Sequence, residues 1–274
     1  MDSAFYKTLQ QQAETIVEEA VKILVSHEHS FTIATQKDAV DIATNADLEV
    51  EKFIKTEVTK LFPDHGFLGE EFGEEHTDRE YVWVIDPLDN TKEYVRGIGE
   101  YNCLVAVEQS KKLVAGVTRR MGHEVRYACS LGNGAFMDGK QIHVSKTNTL
   151  DVSFIATNMP NKKSHTPPVV HTYLKLFETI INLTYRIRPS FDDARTLGWV
   201  AQGAMDAVIS LPYTNKWVDV APGILLVTEA GGTVSDFYGN PIVNHDLSKG
   251  VVASNGILHT QLLTIIQKEI YGTS

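Results

Sequence analysis

Cysteine is scarce in this chain of 274 residues: only Cys103 and Cys129 occur, each inside an apolar stretch, with no C-x-x-C pair. They read as two free core thiols in a reducing compartment rather than as a disulfide framework. No run of ~18 apolar residues is present, so no segment is expected to span a bilayer. The first 25 residues lack a basic stretch followed by an apolar one, so no secretory signal is expected and the location expected is cytoplasmic. Basic residues are in the minority: 25 Lys and Arg stand against 35 Asp and Glu, and 25 − 35 gives a formal net charge of −10. Nucleic acid and anionic membranes are therefore not expected as partners, since binding either needs a local basic patch acting against the global field. An anionic substrate needs a local reversal of sign, which a bound metal cation supplies. There is no internal repeat, low-complexity tract, G-x-S-x-G elbow or H-E-x-x-H pair. The ten histidines are scattered, and the densest group, His27-Glu28-His29, reads as a solvated helix end.

What is present is ordinary globular composition, 43% hydrophobic and 22% charged. The length allows one large domain or two modest ones. Apolar residues from Phe5 to Leu24 recur at three- and four-residue spacing and predict a first helix. A second is expected from about Thr44 to Leu61, with Leu48, Phe53, Ile54, Val58 and Leu61 as its apolar face and Pro63 ending it. Residues 64–80 are acidic and contain glycine, which predicts loop. Short apolar runs at 82–85, 103–107, 113–117 and 125–129 then suggest an antiparallel sheet. Asp138-Gly139 suits a two-residue hairpin turn, and Gly132-Asn133-Gly134 also reads as a hairpin rather than a phosphate loop. After about residue 150 helix and strand alternate. Strands are expected near 154–156, 185–188, 207–209 and 251–253, and helices near 169–180, 192–203, from Asp219 to Gly231-Gly232, and at the C-terminus. The expected fold class is α/β: an α+β half, residues 1–150, carrying most of the candidate metal ligands, and an α/β half, residues 151–274, carrying Asp219 and the substrate-reading segment.

The most informative segment is Val82-Trp83-Val84-Ile85-Asp86-Pro87-Leu88-Asp89-Asn90-Thr91. A buried strand runs into two carboxylates three residues apart, and Pro87 fixes its own φ and helps end the strand. The turn lets Asp86 and Asp89 face one point, with the Leu88 carbonyl between them: an all-oxygen nest suited to a hard cation such as Mg²⁺. Asn90-Thr91-Lys92-Glu93 can then open a helical turn whose backbone N–H groups make an anion site. Taken alone, Asp86 and Asp89 read as a plain turn and an N-cap, and it is the company of other acidic motifs that weakens this reading. Gly69-Glu70-Glu71 also fits a solvated loop, and Asp219, Asp41 and Asp47 also fit helix caps.

Together these pieces resemble the inositol monophosphatase superfamily of metal-dependent, lithium-sensitive phosphatases. The family shows D-x-V-T-x-A-D, G-E-E, D-P-[IL]-D-G-T, and W-D-x-A-x-G followed by E-A-G-G. Here these are Asp41 to Asp47, Gly69-Glu70-Glu71, Asp86 to Thr91, and Trp217 to Gly223 with Glu229-Ala230-Gly231-Gly232. The order matches, and the motifs span nearly the whole chain. The resemblance implies alternating α and β layers, an αβαβα sandwich of the sugar-phosphatase type, and a homodimer. It implies two or three Mg²⁺ ions and a small phosphorylated metabolite as substrate. Glu70, Asp86 and the Leu88 carbonyl resemble the ligands of one ion, and Asp86, Asp89 and Asp219 those of a second. Glu70 and Glu71 resemble residues that support a third ion through water. Asp47 with the Thr91 hydroxyl resembles the pair that orients and deprotonates the attacking water, while the main-chain amides of Asn90 and Thr91 would hold phosphate.

The chain also departs from the family. Asn90 replaces the usual Gly, which Asn tolerates because it accepts positive φ better than most residues. Val218 separates Trp217 from Asp219 where the family has them adjacent. A G-S-A-A type helix start is replaced by Phe191-Asp192-Asp193-Ala194, and the Glu that holds ring hydroxyls in inositol phosphatases falls at about Ser210. Asp192, Asp193, Ser210 and Asp219 are thus the candidate readers of the leaving alcohol, and a carboxylate pair there favours amine-bearing or hydroxyl-rich groups. Thr91-Lys92-Glu93-Tyr94 and Gly99-Glu100-Tyr101 resemble instead the 3′(2′),5′-bisphosphate nucleotidase branch, and histidinol-phosphate phosphatases of this fold carry related variants. Lys92, Arg96, Arg119, Arg120, Arg186, Arg188 and Arg195 can serve a second anionic group but read individually as exposed surface charge. A different class also fits: a non-catalytic regulatory or binding member, since some relatives of this fold act in RNA-polymerase complexes.

Overall fold

The computed structural model describes residues 2–28, 30–36, 42–190 and 192–272. They divide into two units. The first comprises Met1–Gln141 with Ala221–Leu225, the second Ile142–Val220 with Leu226–Ser274. Among the described residues no helix is long and apolar enough to cross a membrane.

In the first unit α1 (Asp2–His27) buries Leu9, Ala13, Val17, Ala20 and Leu24, the stripe its spacing dictates. After β1 (Ile33–Gln36) and β2 (Ile42–Thr44), an antiparallel pair, comes α2 (Asn45–Leu61). The buried face of α2 is Ala46, Asp47, Val50, Glu51, Ile54 and Val58. The predicted apolar face is thus partly corrected: Leu61 is 49% exposed, and two acids, Asp47 and Glu51, take core positions at 0% exposure. The remaining elements are β3 (Gly66–Gly69), β4 (Gly73–Glu75), β5 (Tyr81–Asp89), α3 (Thr91–Val95), β6 (Asn102–Gln109), β7 (Lys112–Arg120), β8 (Val125–Ser130), β9 (Gly134–Met137) and β10 (Lys140–Ile142). They build one sheet in the order β10-β9-β8-β7-β6-β5-β3-β4.

Two expectations need correction here. Residues 64–80 are not all loop, because β3 pairs in parallel with β5 and antiparallel with β4. These strands are three and four residues long and exist through pairing distant in sequence, which composition does not reveal. Pro87 does not end β5 either: Asp86 faces Leu104 and Asp89 faces Asn102, so one extra residue on β5 makes a bulge at Pro87-Leu88. The expected hairpin at Asp138-Gly139 is present, with φ of 50° and 76° at the two residues, as a type I′ turn requires. Packing is tight where β7 carries Gly116: a Cβ there would meet the Pro222 Cα at 3.0 Å.

His65 carries a stability prediction. It is stacked between Phe62 and Tyr81, and its Nδ1 accepts the Trp83 indole N–H at 3.0 Å. Indole is donor only, so this bond requires neutral His65. Burial holds its pKa below the usual histidine value, against the opposing pull of Asp64 and Glu80. The native pKa therefore lies below the unfolded one. The stabilisation is complete above an unfolded pKa of about 6.5 and is lost as pH falls through the native value. Melting followed by Trp fluorescence should show stability falling on acidification by about 1 kcal/mol from this site. His65→Gln, which keeps an acceptor but does not titrate, should flatten that component, and an unchanged profile would contradict the assignment.

The second unit holds β11 (Phe154–Thr157), α4 (Pro167–Leu183), β12 (Arg186–Pro189), α5 (Asp193–Ala201), β13 (Ala207–Ser210), β14 (Thr233–Ser235), β15 (Val251–Ser254) and α7 (His259–Tyr271). Its sheet order is β12-β11-β13-β15-β14. The first three strands are parallel and the last two joins antiparallel. The three-residue strand β14 was not expected, being too short and polar to register as a period. Ile155, Leu176, Phe177, Ile180, Ile209, Val252, Leu262 and Ile266 form its core. Helix α6 (Trp217–Glu229) begins two residues before Asp219, which corrects the expected start.

Candidate active site

The bulge in β5 decides how the D-P-L-D stretch is presented. In a regular strand residues three apart point to opposite faces. Asp86 and Asp89 oppose Leu104 and Asn102, which are two apart on β6, so the extra residue brings the two carboxylates to the same face. Asp86 is 1% exposed, and its Oδ1 accepts the Leu88 N–H at 3.1 Å. Asp89 Oδ2 accepts from Asn102 Nδ2 at 2.6 Å and Asn90 Nδ2 at 3.3 Å. The turn bonds expected of a plain Asx motif are therefore present at Asp86.

Asn90 adopts φ 67° and ψ 43°, the left-handed region, so the residue replacing glycine keeps a backbone that glycine would take. Thr91 then opens α3. Its hydroxyl lies 3.2 Å from Asp47 Oδ1 and 2.9 Å from the Leu88 carbonyl. Asp47 reaches this point from α2, where its other oxygen closes a capping box: Oδ2 accepts the Thr44 N–H at 2.8 Å and the Thr44 hydroxyl at 2.5 Å. The two oxygens of Asp47 are thus engaged separately, Oδ2 in the helix cap and Oδ1 by the Thr91 hydroxyl. Burial raises the Asp47 pKa, with the bonds from Thr44 and Thr91 opposing. Asp41 lies outside the described residues.

Glu70 and Glu71 follow β3 directly. Gly69 is opposite Ile85, and the Glu70 N–H donates to the Ile85 carbonyl at 3.0 Å, which sets Glu70 beside the strand position that precedes Asp86. Glu51 underlies this turn: its carboxylate accepts the Glu71 N–H at 2.8 Å and the Phe72 N–H at 3.1 Å. Sequence reading missed Glu51. The signal was available, since 47, 51, 54 and 58 form one helical stripe and an acid on a core stripe is exceptional.

In the second unit the adjacent acids separate. Asp192 caps α5, its carboxylate accepting the Arg195 N–H at 2.7 Å, and it is 1% exposed. Asp193 accepts from the Ser210 hydroxyl at 2.8 Å and from Asn158 Nδ2 at 3.1 Å. Burial raises its pKa, against hydrogen bonds from Ser210, Asn215 and Asn158. Asn158, Asn161, Ser190, Asp193, Thr214 and Asn215 line an open cavity of about 390 Å³. None of the described residues lining it is basic. Asp219 sits in the first turn of α6, where its Oδ2 accepts the Lys216 N–H at 2.7 Å. Phe191 and His29 lie outside the described residues.

Several other expectations change. Arg119 and Arg120 are not exposed surface charges: Arg119 pairs with Glu18 and Glu124, and Arg120 with Glu100. Arg186 and Arg188 are exposed. The helix end at His27 is not fully solvated, since its imidazole lies 2.9 Å from Glu49 and 3.2 Å from Asn45 Nδ2.

Among the described residues, no three carboxylate, imidazole or thiolate groups converge as a metal cluster. The donor chemistry nevertheless fits Mg²⁺. Asp86 and Asp89 on β5 and Glu70 just after β3 are hard oxygen donors, and Mg²⁺ keeps several waters and needs only one or two carboxylates per ion.

A profile described as the inositol monophosphatase family matches residues 3–271. Nus factor SuhB of Pseudomonas aeruginosa is 33% identical over 239 residues, 86% of this chain and 86% of that protein. Inositol-1-monophosphatase of Caulobacter vibrioides is 33% identical over 236 residues, 84% of this chain and 88% of that protein. The crystal structure of extragenic suppressor protein suhB from Bartonella henselae superposes with a TM-score of 0.84 at 29% identity, covering 95% of this chain and 99% of that one.

Proposed function

Since the chain belongs to the inositol monophosphatase family, we propose that it hydrolyses a small-molecule phosphate monoester with Mg²⁺ and an activated water, as an inositol-1-monophosphatase-like enzyme. The observation that carries this reading is the 3.2 Å approach of the Thr91 hydroxyl to Asp47 Oδ1. In this arrangement Thr91 Oγ1 accepts a proton from the attacking water and passes its own to Asp47 Oδ1. Asp47 suits that role because Oδ2 is pinned by Thr44 and because burial lifts its proton affinity toward the range of a working base. Glu70, Asp86 and the Leu88 carbonyl would hold one ion, Asp86 and Asp89 a second, and Glu71 would support a further ion through water. Asp219 enters as a ligand through the family resemblance alone. When bound, Mg²⁺ neutralises the phosphoryl oxygens, lowers the pKa of water and stabilises the leaving alkoxide. The backbone N–H groups of Asn90 and Thr91 are assigned to the phosphate. Inhibition by Li⁺, a homodimer and a cytoplasmic location belong to the same reading.

Specificity is assigned, through the family resemblance alone, to Asp192, Asp193 and Ser210. Asp192 is engaged as a helix cap, so the expected carboxylate pair reduces to one, Asp193, amid amide and hydroxyl groups. A carboxyl group in a cavity whose described lining residues include no basic side chain favours hydroxyl-rich or amine-bearing alcohols and disfavours a second phosphate. Steady-state kcat/KM for inositol 1-phosphate, histidinol phosphate, fructose 1,6-bisphosphate and adenosine 3′,5′-bisphosphate tests this. Inositol 1-phosphate should be accepted without being the best substrate. The amine-bearing or polyol monoester should exceed the adenosine bisphosphate by about tenfold or more. The reverse preference would support the nucleotidase branch and remove Asp193 from the specificity role.

A second reading is a regulatory protein without turnover. It is favoured by the name Nus factor SuhB carried by the Pseudomonas aeruginosa relative. Against it stand Asp47, Glu70, Asp86, Asp89, Thr91 and Asp219, all of which a module without catalysis has no need to retain.

A further inference from the structure

We infer that Glu51 is a positioning residue: its carboxylate clamps the backbone of the turn that carries Glu70 and Glu71, and so sets the geometry of the candidate metal ligands. The inference rests on the phosphatase reading for its consequence, but the clamp itself is independent of it. Glu51 sits on α2 one helical turn after Asp47 and is 0% exposed. One oxygen accepts the Glu71 N–H at 2.8 Å and the other the Phe72 N–H at 3.1 Å. Both bonds are charge-assisted, the stronger class of hydrogen bond. They meet the backbone donors that follow the end of β3, where the strand ladder no longer supplies acceptors.

Burial of a carboxylate is costly unless its oxygens are engaged, and burial does raise the Glu51 pKa. A core position on α2 filled by Leu or Ile would avoid that cost, so the turn is what the acid serves. The approach is close. A Cβ on Gly69 would lie 1.7 Å from Glu51 Oε1 and 2.5 Å from Cδ, so the residue before Glu70 has no room for a side chain while the clamp is closed. Gly69 is not in the left-handed region, so its backbone alone would accept alanine. The constraint is therefore the carboxylate. One helix thus fixes two parts of the site: Asp47 aligns Thr91, and Glu51, four residues later, aligns Glu70 and Glu71.

Two variants separate this role from general stability. Glu51→Gln keeps the shape but offers one acceptor and a repelling NH₂ to two N–H groups. Gly69→Ala leaves Glu51 intact and pushes its carboxylate aside, and it serves if Glu51→Gln fails to fold. Amide hydrogen exchange on the metal-free full-length protein is the first readout. Protection at Glu71 and Phe72 should fall by about tenfold or more in each variant, with the β6–β7 amides unchanged. Unaltered exchange at residues 71 and 72 would overturn the clamp. Mn²⁺ binding followed by electron paramagnetic resonance is the second readout. Supporting groups behind metal ligands are typically worth 10–100-fold in affinity, so the dissociation constant should rise by about that factor, with kcat largely recovered at saturating metal. Equal Mn²⁺ affinity in wild type and variants, with exchange altered, would overturn the link to the ligands. A wild-type protein that binds no Mn²⁺ overturns the phosphatase reading instead, and the exchange data still decide the clamp.

Discussion

Asp86→Asn should lower kcat at saturating Mg²⁺ by about 10³-fold or more while the protein keeps its fold. The side chain is 1% exposed at the start of the β5 bulge, on the same face as Asp89. In the proposed arrangement it contributes to both principal ions, so a single amide removes charge from two sites together. Stabilisation of developing charge in a water-poor site is usually the largest catalytic term, and no other group in the D-P-L-D stretch duplicates this carboxylate. The fold should survive because an amide oxygen can still accept the Leu88 N–H that Asp86 Oδ1 accepts at 3.1 Å. The melting curve should therefore stay close to that of the wild type. Near-normal turnover by the folded variant would remove Asp86 from the site.

Thr91→Ala should cut kcat by about 10²–10⁴-fold, the range for loss of general acid–base function, with Mg²⁺ affinity nearly intact. The hydroxyl lies between Asp47 Oδ1 and the Leu88 carbonyl, at 3.2 and 2.9 Å. Its loss leaves Asp47 bonded to Thr44 but without a relay to the water. The effect should appear in kcat rather than in the metal dependence, which separates the water-orienting pair from the metal ligands. If the variant instead loses metal binding and turns over normally at high Mg²⁺, Thr91 belongs to the metal shell.

The parts of the site that were legible in the sequence are those built from near neighbours. The strand leading into Asp86, the helical turn at Thr91 and the tolerance of Asn90 for a left-handed backbone all follow from residues within one short segment. What was not legible depends on pairing across the chain. The bulge at Pro87-Leu88 exists only against β6, and proline by itself pointed to a strand end. The strands β3 and β4 look like acidic loop until β5 supplies their partner. One of the two partners of Arg119, Glu18, is 101 residues away in the sequence. Asp192 and Asp193 are adjacent and chemically identical in sequence, yet one faces its own helix terminus and the other faces Ser210 and Asn158. Glu51 was hidden for the opposite reason: its position is local and periodic, but what it holds lies twenty residues on.

The most direct measurement is inorganic phosphate released from inositol 1-phosphate by the purified full-length protein, with and without Mg²⁺, beside Asp86→Asn from the same preparation. Release that saturates with Mg²⁺, disappears on chelation and is lost in Asp86→Asn is the predicted result. A folded wild-type protein that releases no phosphate from this or any other small monoester at any Mg²⁺ concentration would contradict the phosphatase reading and leave the regulatory one.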